Sequence, residues 1–127
     1  MKLYPNSWVG FDLDRTLAEY HEWEGLTRIG KPIPAMIDIV KGYLAKGITC
    51  KIVTARVHPN NPDFTYGIMD QKLTDVRMAI LDWCKEHIGQ ALDITYGKDM
   101  AMLFLYDDRA IQVEPNTGKI LGKEFEL

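Results

Sequence analysis

Two carboxylates, Asp12 and Asp14, stand one residue apart where an apolar stretch of the chain ends. Side chains of an extended strand alternate in direction, so both carboxylates point to the same side as the strand gives way to loop. Two anions this close repel each other unless a cation joins them, and Mg²⁺ prefers oxygen ligands of this kind. Thr16 adds a hydroxyl that can close the turn. The stretch indicates a divalent-cation site, and a solvated turn is the ordinary alternative.

Two further apolar runs end in polar residues that suit the same chemistry. Residues 102–106 lead into the adjacent acids Asp107 and Asp108, and another run ends in Thr54 and Arg56. In a parallel sheet such ends lie along one edge, so these side chains converge on one crevice. Arg56 can fork onto a phosphate group or pair with an acid of the protein, and both interpretations stay open.

Alternating apolar strands and amphipathic segments must position these strand ends. Helical spacing of apolar residues follows Pro34 and stops at Gly47, and the same pattern recurs before Gly89. This alternation predicts an α/β fold, a parallel sheet with helices on both faces. A first strand is predicted where the apolar stretch leads into Asp12. Further strands are predicted over residues 48–53, 92–95, 102–106 and 110–113, with a turn at 115–118.

Length, charge and cysteine usage bound the class of protein. The 127 residues suit one domain, 1–127, and the net charge of −3 argues against a general nucleic-acid or membrane-surface binder. The chain has neither a signal-like start nor a run of roughly 18 apolar residues, so a cytoplasmic location without membrane partners is predicted. Cys50 and Cys84 lack metal-ligand spacing, which favours buried reduced thiols.

The ordered set of polar residues resembles the haloacid dehalogenase superfamily of phosphohydrolases over roughly residues 7–109. The resemblance implies a Rossmann-like parallel sheet without a large cap domain. Arg15 departs from the pattern, because many members carry glycine there, and this bears on substrate or flap geometry more than on chemistry. The matching residues are the DxDxT motif of Asp12, Asp14 and Thr16, the strand-terminal Thr54, Lys98, and the acidic pair Asp107 and Asp108.

The resemblance also implies an activity, that of a Mg²⁺-dependent phosphatase acting on a phosphate monoester. Asp12 matches the nucleophile that forms an aspartyl-phosphate and binds Mg²⁺ through its other oxygen. Asp14 matches the general acid, and its backbone carbonyl joins the metal shell. Asp107 and Asp108 complete that shell, with Asp108 as the expected direct ligand.

The same resemblance assigns phosphate-binding roles to residues from other strand ends. Thr54 and Lys98 are expected to hold the phosphoryl oxygens, which places Lys98 among the catalytic residues as well. Arg56 is the candidate for a further substrate contact. His58 is a loop histidine whose role the sequence leaves open, as it does that of His21.

Two segments without a regular pattern lie beside the predicted site. Residues 19–31 are too few for a separate cap domain, and the matching segment of the superfamily forms a small flap over the site. Residues 57–66 are rich in turn-forming residues and directly follow Arg56. A mobile lid and an ordinary surface loop are both open interpretations of this second segment.

The sequence leaves more than one substrate and more than one class of function open. The Thr-Ala-Arg strand end at residues 54–56 is similar to the phosphatase domain of phage polynucleotide kinase, which implies a nucleotide or nucleic-acid terminal phosphate as well as a small-molecule ester. A phosphoacceptor signalling domain gathers similar groups, but its acidic pair follows the first strand. A catalytically idle binding module on the same fold is the other alternative, although every chemical group is retained. The oligomeric state stays open.

Overall fold

A four-stranded parallel sheet forms the centre of the computed structural model, which describes residues 5–64 and 69–122. The strand order is β3-β2-β1-β4. The strands are β1 (Trp8–Asp12), β2 (Thr49–Val53), β3 (Asp93–Thr95) and β4 (Met102–Tyr106), and the helices are α1 (Pro34–Ala45) and α2 (Met69–His87). Two 3₁₀ turns, Ala55–Val57 and Pro62–Phe64, follow β2, and an antiparallel pair, β5 (Gln112–Val113) and β6 (Ile120–Leu121), comes last.

The α/β class and the parallel sheet predicted from the sequence are confirmed. Pro34 occupies the first turn of α1, where its missing N–H costs nothing, and Gly47 beyond the helix end adopts a φ of +76°. In the sheet, Asp12 pairs with Val53 and Val53 pairs with Thr95. The strands therefore end at one level, and the residues that follow them leave the sheet at the same edge.

The sequence predicts helices on both faces of the sheet, but within the described residues both helices pack on one face. Phe11 and Ile52, which are register partners, share one buried cluster with Val40 of α1 and Ile80 of α2. The sheet grows from β1 to β2 to β3 in a single direction, and right-handed crossovers then place both helices on the same side. A helix on the other face would have to come from the connection between β3 and β4, residues 96–101, which contains none.

The opposite face of the sheet is shielded by an indole ring instead of a helix. Trp8 is 1% exposed, and its Nε1 donates to Oδ1 of Asp99 at 2.9 Å. The Nζ of Lys51 lies 4.7 Å from the ring centroid. Gly10 makes room for the ring, because a Cβ there would come within 2.9 Å of it. Trp8, bonded to Asp99, thus covers the part of this face around Gly10.

The structure also bears on the predictions about the cysteines and about membrane-spanning segments. Cys50 and Cys84 are free and buried, as predicted, and burial raises the pKa of each thiol to about 11. Both thiols are therefore protonated and poorly reactive at neutral pH. Within the described part of the chain, no helix combines the length and the apolar character that crossing a membrane requires.

Candidate active site

A cavity of about 430 Å³ opens at the edge of the sheet where the strands end. Asp12, the last residue of β1, lines the cavity. So do Thr54 and Asp107, which are the first residues after β2 and β4. The common level of the strand ends produces this convergence, as parallel pairing predicts. The predicted site residues that line the cavity are Asp12, Asp14, Thr54, Arg56 and Asp107.

Three carboxylates form the acidic centre of the site. Asp12, Asp107 and Asp108 each offer an oxygen, and these atoms lie within 4.8 Å of one another. The pKa of Asp12 is raised to about 7, first by burial, then by a hydrogen bond with Asp108 and by the charges of Asp107 and Asp108. Oxygen ligands grouped in this way suit a hard divalent cation such as Mg²⁺, whose charge would relieve the repulsion that raises this pKa.

Thr16 ties the two halves of this acidic centre together. Its Oγ1 donates to Oδ2 of Asp12 at 3.3 Å and accepts the backbone N–H of Asp108 at 3.2 Å. Leu13 and Leu17 on either side are fully buried and anchor the turn in the core. The spacing of the motif predicts a hydroxyl that closes the turn. The structure shows in addition that this hydroxyl binds the backbone N–H of Asp108, just after β4.

Arg15 shows why glycine suits this position of the motif. Its φ is +72°, in the left-handed region that glycine adopts without a steric penalty. The backbone N–H of Arg15 donates to the carbonyl of Ala18 at 2.8 Å, so the turn keeps its bonds with arginine in place. The side-chain Nε lies 3.3 Å from Oδ2 of Asp108. The departure from the pattern therefore places a cation beside the acidic centre.

Thr54 is held at its place by the backbone on both sides. Its N–H donates to the carbonyl of Thr95 at 2.9 Å, which continues the pairing of β2 with β3. Its Oγ1 accepts the backbone N–H of Arg56 at 3.2 Å and so caps the 3₁₀ turn Ala55–Val57. The residue is 2% exposed and lines the cavity. These bonds fix the hydroxyl of Thr54 at the site.

Arg56 pairs with an acid of the protein instead of standing free in the cavity. Its Nε and Nη2 donate to Oδ2 and Oδ1 of Asp14, both at 2.8 Å. Its Nη1 donates to the backbone carbonyls of Gly25 at 3.0 Å and Leu26 at 2.6 Å. The side chain is 4% exposed. Of the two interpretations that the sequence leaves open, these bonds favour the ion pair over the predicted substrate contact.

The predicted flap, residues 19–31, contains neither helix nor strand and is closed at its base. The N–H of Glu19 donates to the carbonyl of Lys31 at 2.8 Å. Gly30 permits this closure, because a Cβ there would overlap the carbonyl oxygen of Glu19. Trp83 of α2 donates from Nε1 to the carbonyl of Gly30 at 2.9 Å. The segment is thus anchored at its base, and Tyr20 and Trp23 within it line the cavity.

The loop that follows Arg56 is anchored as far as Phe64. Val57 is 2% exposed and Phe64 is 5% exposed, and both belong to the hydrophobic core. The ring of His58 packs edge-on against Tyr96 with a centroid distance of 4.9 Å. These contacts favour an ordinary surface loop over a lid for residues 57–64, while residues 65 and 66 of the predicted segment lie outside the described residues.

Asp108 does not line the cavity itself but belongs to the acidic centre beside it, whereas two other candidate residues lie in neither place. Lys98 is exposed in the connection between β3 and β4, and directly after it Asp99 bonds with Trp8 at the beginning of β1. The chain thus turns back along the sheet soon after leaving its edge. The contact of Lys98 with phosphoryl oxygens stays a prediction. His21 is exposed on the flap and lines a separate surface depression.

Sequence reasoning missed some residues that line the cavity. Tyr96 is the first residue after β3, and Asn61 and Arg109 come from loops beside β2 and β4. The rule that selected Thr54, the first residue beyond a parallel strand, also applies to Tyr96 and could have identified it. Asn61 carried no comparable signal, because its place depends on the fold of the loop.

Comparison with known proteins does not assign the chain to a family. No family model matches its sequence, no curated protein is significantly similar to it, and no solved structure matches it significantly. The evidence for its function therefore lies in the side chains that the fold brings together.

Proposed function

We propose that the protein is a Mg²⁺-dependent phosphatase that hydrolyses a phosphate monoester. The observation that supports this most is the set of carboxylate oxygens of Asp12, Asp107 and Asp108 within 4.8 Å of one another beside a cavity. Carboxylates this close repel one another when no cation is bound, and a divalent cation bound between them removes this repulsion. Asp12, Asp107 and Asp108 would hold Mg²⁺, together with the backbone carbonyl of Asp14. When bound, the ion supplies positive charge that offsets the charge of the substrate phosphate.

The reaction proceeds in two steps on the side chains of Asp12 and Asp14. An oxygen of Asp12 forms a bond to phosphorus as the bond from phosphorus to the ester oxygen breaks, and Asp14 gives its proton to the leaving oxygen. Asp14 then takes a proton from a water molecule, whose oxygen attacks phosphorus and releases phosphate and the free Asp12 carboxylate. Both oxygens of Asp14 accept a bond from Arg56 in this structure, and each oxygen keeps a second lone-pair site that can carry the transferred proton.

Phosphate recognition uses neutral and cationic donors around the acidic centre. The hydroxyl of Thr54 accepts a backbone N–H, so its own proton is the part of the group that can be donated to a phosphoryl oxygen. Arg15 and Arg109 line the cavity and add positive charge near the phosphate. Lys98, which is exposed and does not line the cavity, is assigned to a phosphoryl oxygen by the resemblance alone.

The walls of the cavity favour a substrate with a planar group. The rings that line it are those of Tyr20, Trp23, His58 and Tyr96. Aromatic rings offer flat faces on which a base can stack without sequence selectivity. A nucleotide or a nucleic-acid terminal phosphate fits this lining, and a small aromatic phosphate ester fits it as well. The net charge of −3 favours a short substrate over a long polyanion.

One observation favours the phosphoacceptor alternative. Because Arg56 occupies both oxygens of Asp14, the structure holds Asp14 as an ion-pair partner. A protein without a working acid could still accept a phosphoryl group on Asp12 from a donor with a good leaving group, and would then release it slowly. The two functions differ in turnover, which is readily measured.

The test is a panel of phosphate monoesters with Mg²⁺ and with excess chelator. The panel contains p-nitrophenyl phosphate, nucleoside monophosphates, sugar phosphates and oligonucleotides with a 3′- or 5′-phosphate. We expect turnover only with the divalent cation, and a loss of about 1,000-fold or more in Asp12→Asn, because an amide is a poor nucleophile. Asp38→Asn, an exposed site on α1, is the matched control and should retain activity.

Two outcomes would contradict this function. Full activity in excess chelator would remove the metal assignment. A stable phosphoprotein formed from acetyl phosphate, with no turnover of any ester, would favour the phosphoacceptor alternative.

A further inference from the structure

The guanidinium of Arg56 connects the flap to Asp14 through bonds on both of its sides. On one side it forms a bidentate pair with Asp14, both bonds at 2.8 Å. On the other it donates to the backbone carbonyls of Gly25 and Leu26 in the flap. A planar guanidinium has five N–H donors in a fixed fork, so it can hold two partners at once in a set geometry.

The same guanidinium also supports an aromatic wall of the cavity. Its central carbon lies 5.0 Å from the ring centroid of Trp23, a cation–π contact. Trp23 is 49% exposed and lines the cavity, so its ring has accessible surface beyond this contact. None of the contacts that the structure describes joins Trp23 to Asp14 directly. Arg56 is thus the connection between them that the structure shows.

The position of Arg56 is itself well fixed. Its backbone N–H is capped by Thr54, and its carbonyl accepts from Nδ2 of Asn61 at 3.5 Å. The side chain is 4% exposed, and truncating it would leave the Asp14 carboxylate and the flap carbonyls without their donor. Lysine keeps the charge but cannot reproduce a bidentate pair together with two carbonyl bonds.

We infer that Arg56 is a positioning residue that couples the flap to Asp14. It orients the carboxylate that transfers the proton, and through the same group it holds Trp23 beside the leaving group of the substrate. The catalytic consequence rests on the proposed function. The physical link between Asp14 and the flap does not, so the two are tested separately.

The physical link is tested by quenching of tryptophan fluorescence with acrylamide. Trp8 and Trp83 are 1% and 6% exposed, so quenching reports mainly on Trp23. Acrylamide is neutral, and changes of charge near the ring therefore do not affect its approach. Arg56→Ala and Arg56→Lys should raise the quenching constant about twofold or more as the flap opens locally. Asp14→Asn should raise it too, although no described contact joins Asp14 to the ring.

Arg28→Ala is the matched control for this measurement, because it removes an exposed arginine from the same flap. Its quenching constant should equal that of the unmodified protein. Circular dichroism shows whether each variant is folded, and Arg56→Lys provides the comparison if Arg56→Ala does not fold. Unchanged quenching in folded Arg56→Lys and Asp14→Asn would overturn the link.

The catalytic consequence is tested with two leaving groups. An alkyl phosphate needs protonation of its leaving oxygen, and p-nitrophenyl phosphate needs little. Arg56→Lys should lower kcat for the alkyl ester by about 100-fold and for the aryl ester by less than about fivefold, since general acid catalysis contributes to the first reaction. In the Asp14→Asn background, Arg56→Lys should add little further loss with the alkyl ester, because both act on one proton transfer.

An equal loss with both esters would mean that Arg56 supports only the fold, and would overturn the catalytic role. A protein that hydrolyses neither ester contradicts the proposed function and with it this catalytic role. The quenching comparison still decides the physical link in that case, so failure of the function and failure of the link are distinguishable.

Discussion

The turn after β1 and the connection after β3 both carry predicted site residues, and they differ in how the fold holds them. In the turn, Leu13 and Leu17 are fully buried and Thr16 is bonded to both sides of the acidic centre. In the connection, Met100 is fully exposed and Lys98 is exposed as well. The residues predicted from the turn reach the site, whereas Lys98 does not line the cavity.

This difference follows from what determines each position. A side chain on a strand or in a tightly bonded turn has a direction fixed by local geometry, so spacing in the sequence predicts where it lies. A side chain on an irregular connection has a place that depends on tertiary contacts, such as the bond from Trp8 to Asp99. Spacing alone does not predict those contacts.

Within this comparison of the two regions, the largest expected effects come from altering one residue in each. Thr16→Val removes two hydrogen bonds and leaves the amide of Asp108 without this partner, so it should cost about 1–3 kcal/mol of stability as well as activity. Lys98→Ala should lower kcat/KM about tenfold, a loss of about 1.4 kcal/mol of transition-state binding, with an unchanged Tm because the side chain is exposed. Thermal melts and steady-state kinetics give both quantities.

Two results would break this comparison. Unchanged kinetics in Lys98→Ala would show that Lys98 does not contact the substrate, and that Thr54, Arg15 and Arg109 bind the phosphate without it. An unchanged Tm in Thr16→Val would show that the hydrogen bonds of Thr16 do not hold the turn to β4. Lys119→Ala, at an exposed position before β6, serves as a control for loss of a surface lysine.

An intermediate effect concerns the stability of the acidic centre without divalent cations. The pKa of Asp12 in the folded protein is raised from its ordinary value of 3.8 to about 7, so the folded protein binds this proton more tightly than the unfolded chain. The stability of the protein therefore falls as the pH rises from about 4 to about 7. Asp12→Asn does not titrate, so its Tm should exceed that of the unmodified protein by a margin that grows over this pH range.

Melts in chelator at several pH values measure this margin, with Asp38→Asn as the control that should show none. Addition of Mg²⁺ should raise the Tm of the unmodified protein more than that of Asp12→Asn, because a ligand stabilises the state that binds it. A margin that stays constant from pH 4 to pH 8 would mean that burial of the Asp12 carboxylate beside Asp107 and Asp108 does not destabilise the fold.

The smallest effect is expected at Arg15. Arg15→Gly relieves the left-handed φ of +72°, but it increases the freedom of the unfolded chain, and the two contributions of about 1 kcal/mol nearly cancel. It also removes the contact with Asp108, a partly exposed pair of little energetic value. The Tm should therefore change by no more than a few degrees. A large loss of stability would show that the arginine side chain holds the turn.

The sequence by itself determined the parallel α/β class, the strand ends that meet at one edge, and the acids at those ends. These follow from alternation along a strand and from the order of strands and helices, which are local properties. The segment predicted over residues 102–106 coincides with β4, and the turn motif places Asp12 and Thr16 in hydrogen-bond contact.

Only the tertiary structure decided which side chains pair across the site and what covers the second face of the sheet. Arg56 and Asp14 are 42 positions apart, and their pairing depends on the way the flap folds over the strand ends. On the second face the connection after β3 contains no helix, and Trp8 packs over Gly10 instead. Such contacts join residues that are distant in sequence, and the spacing along the chain does not contain them.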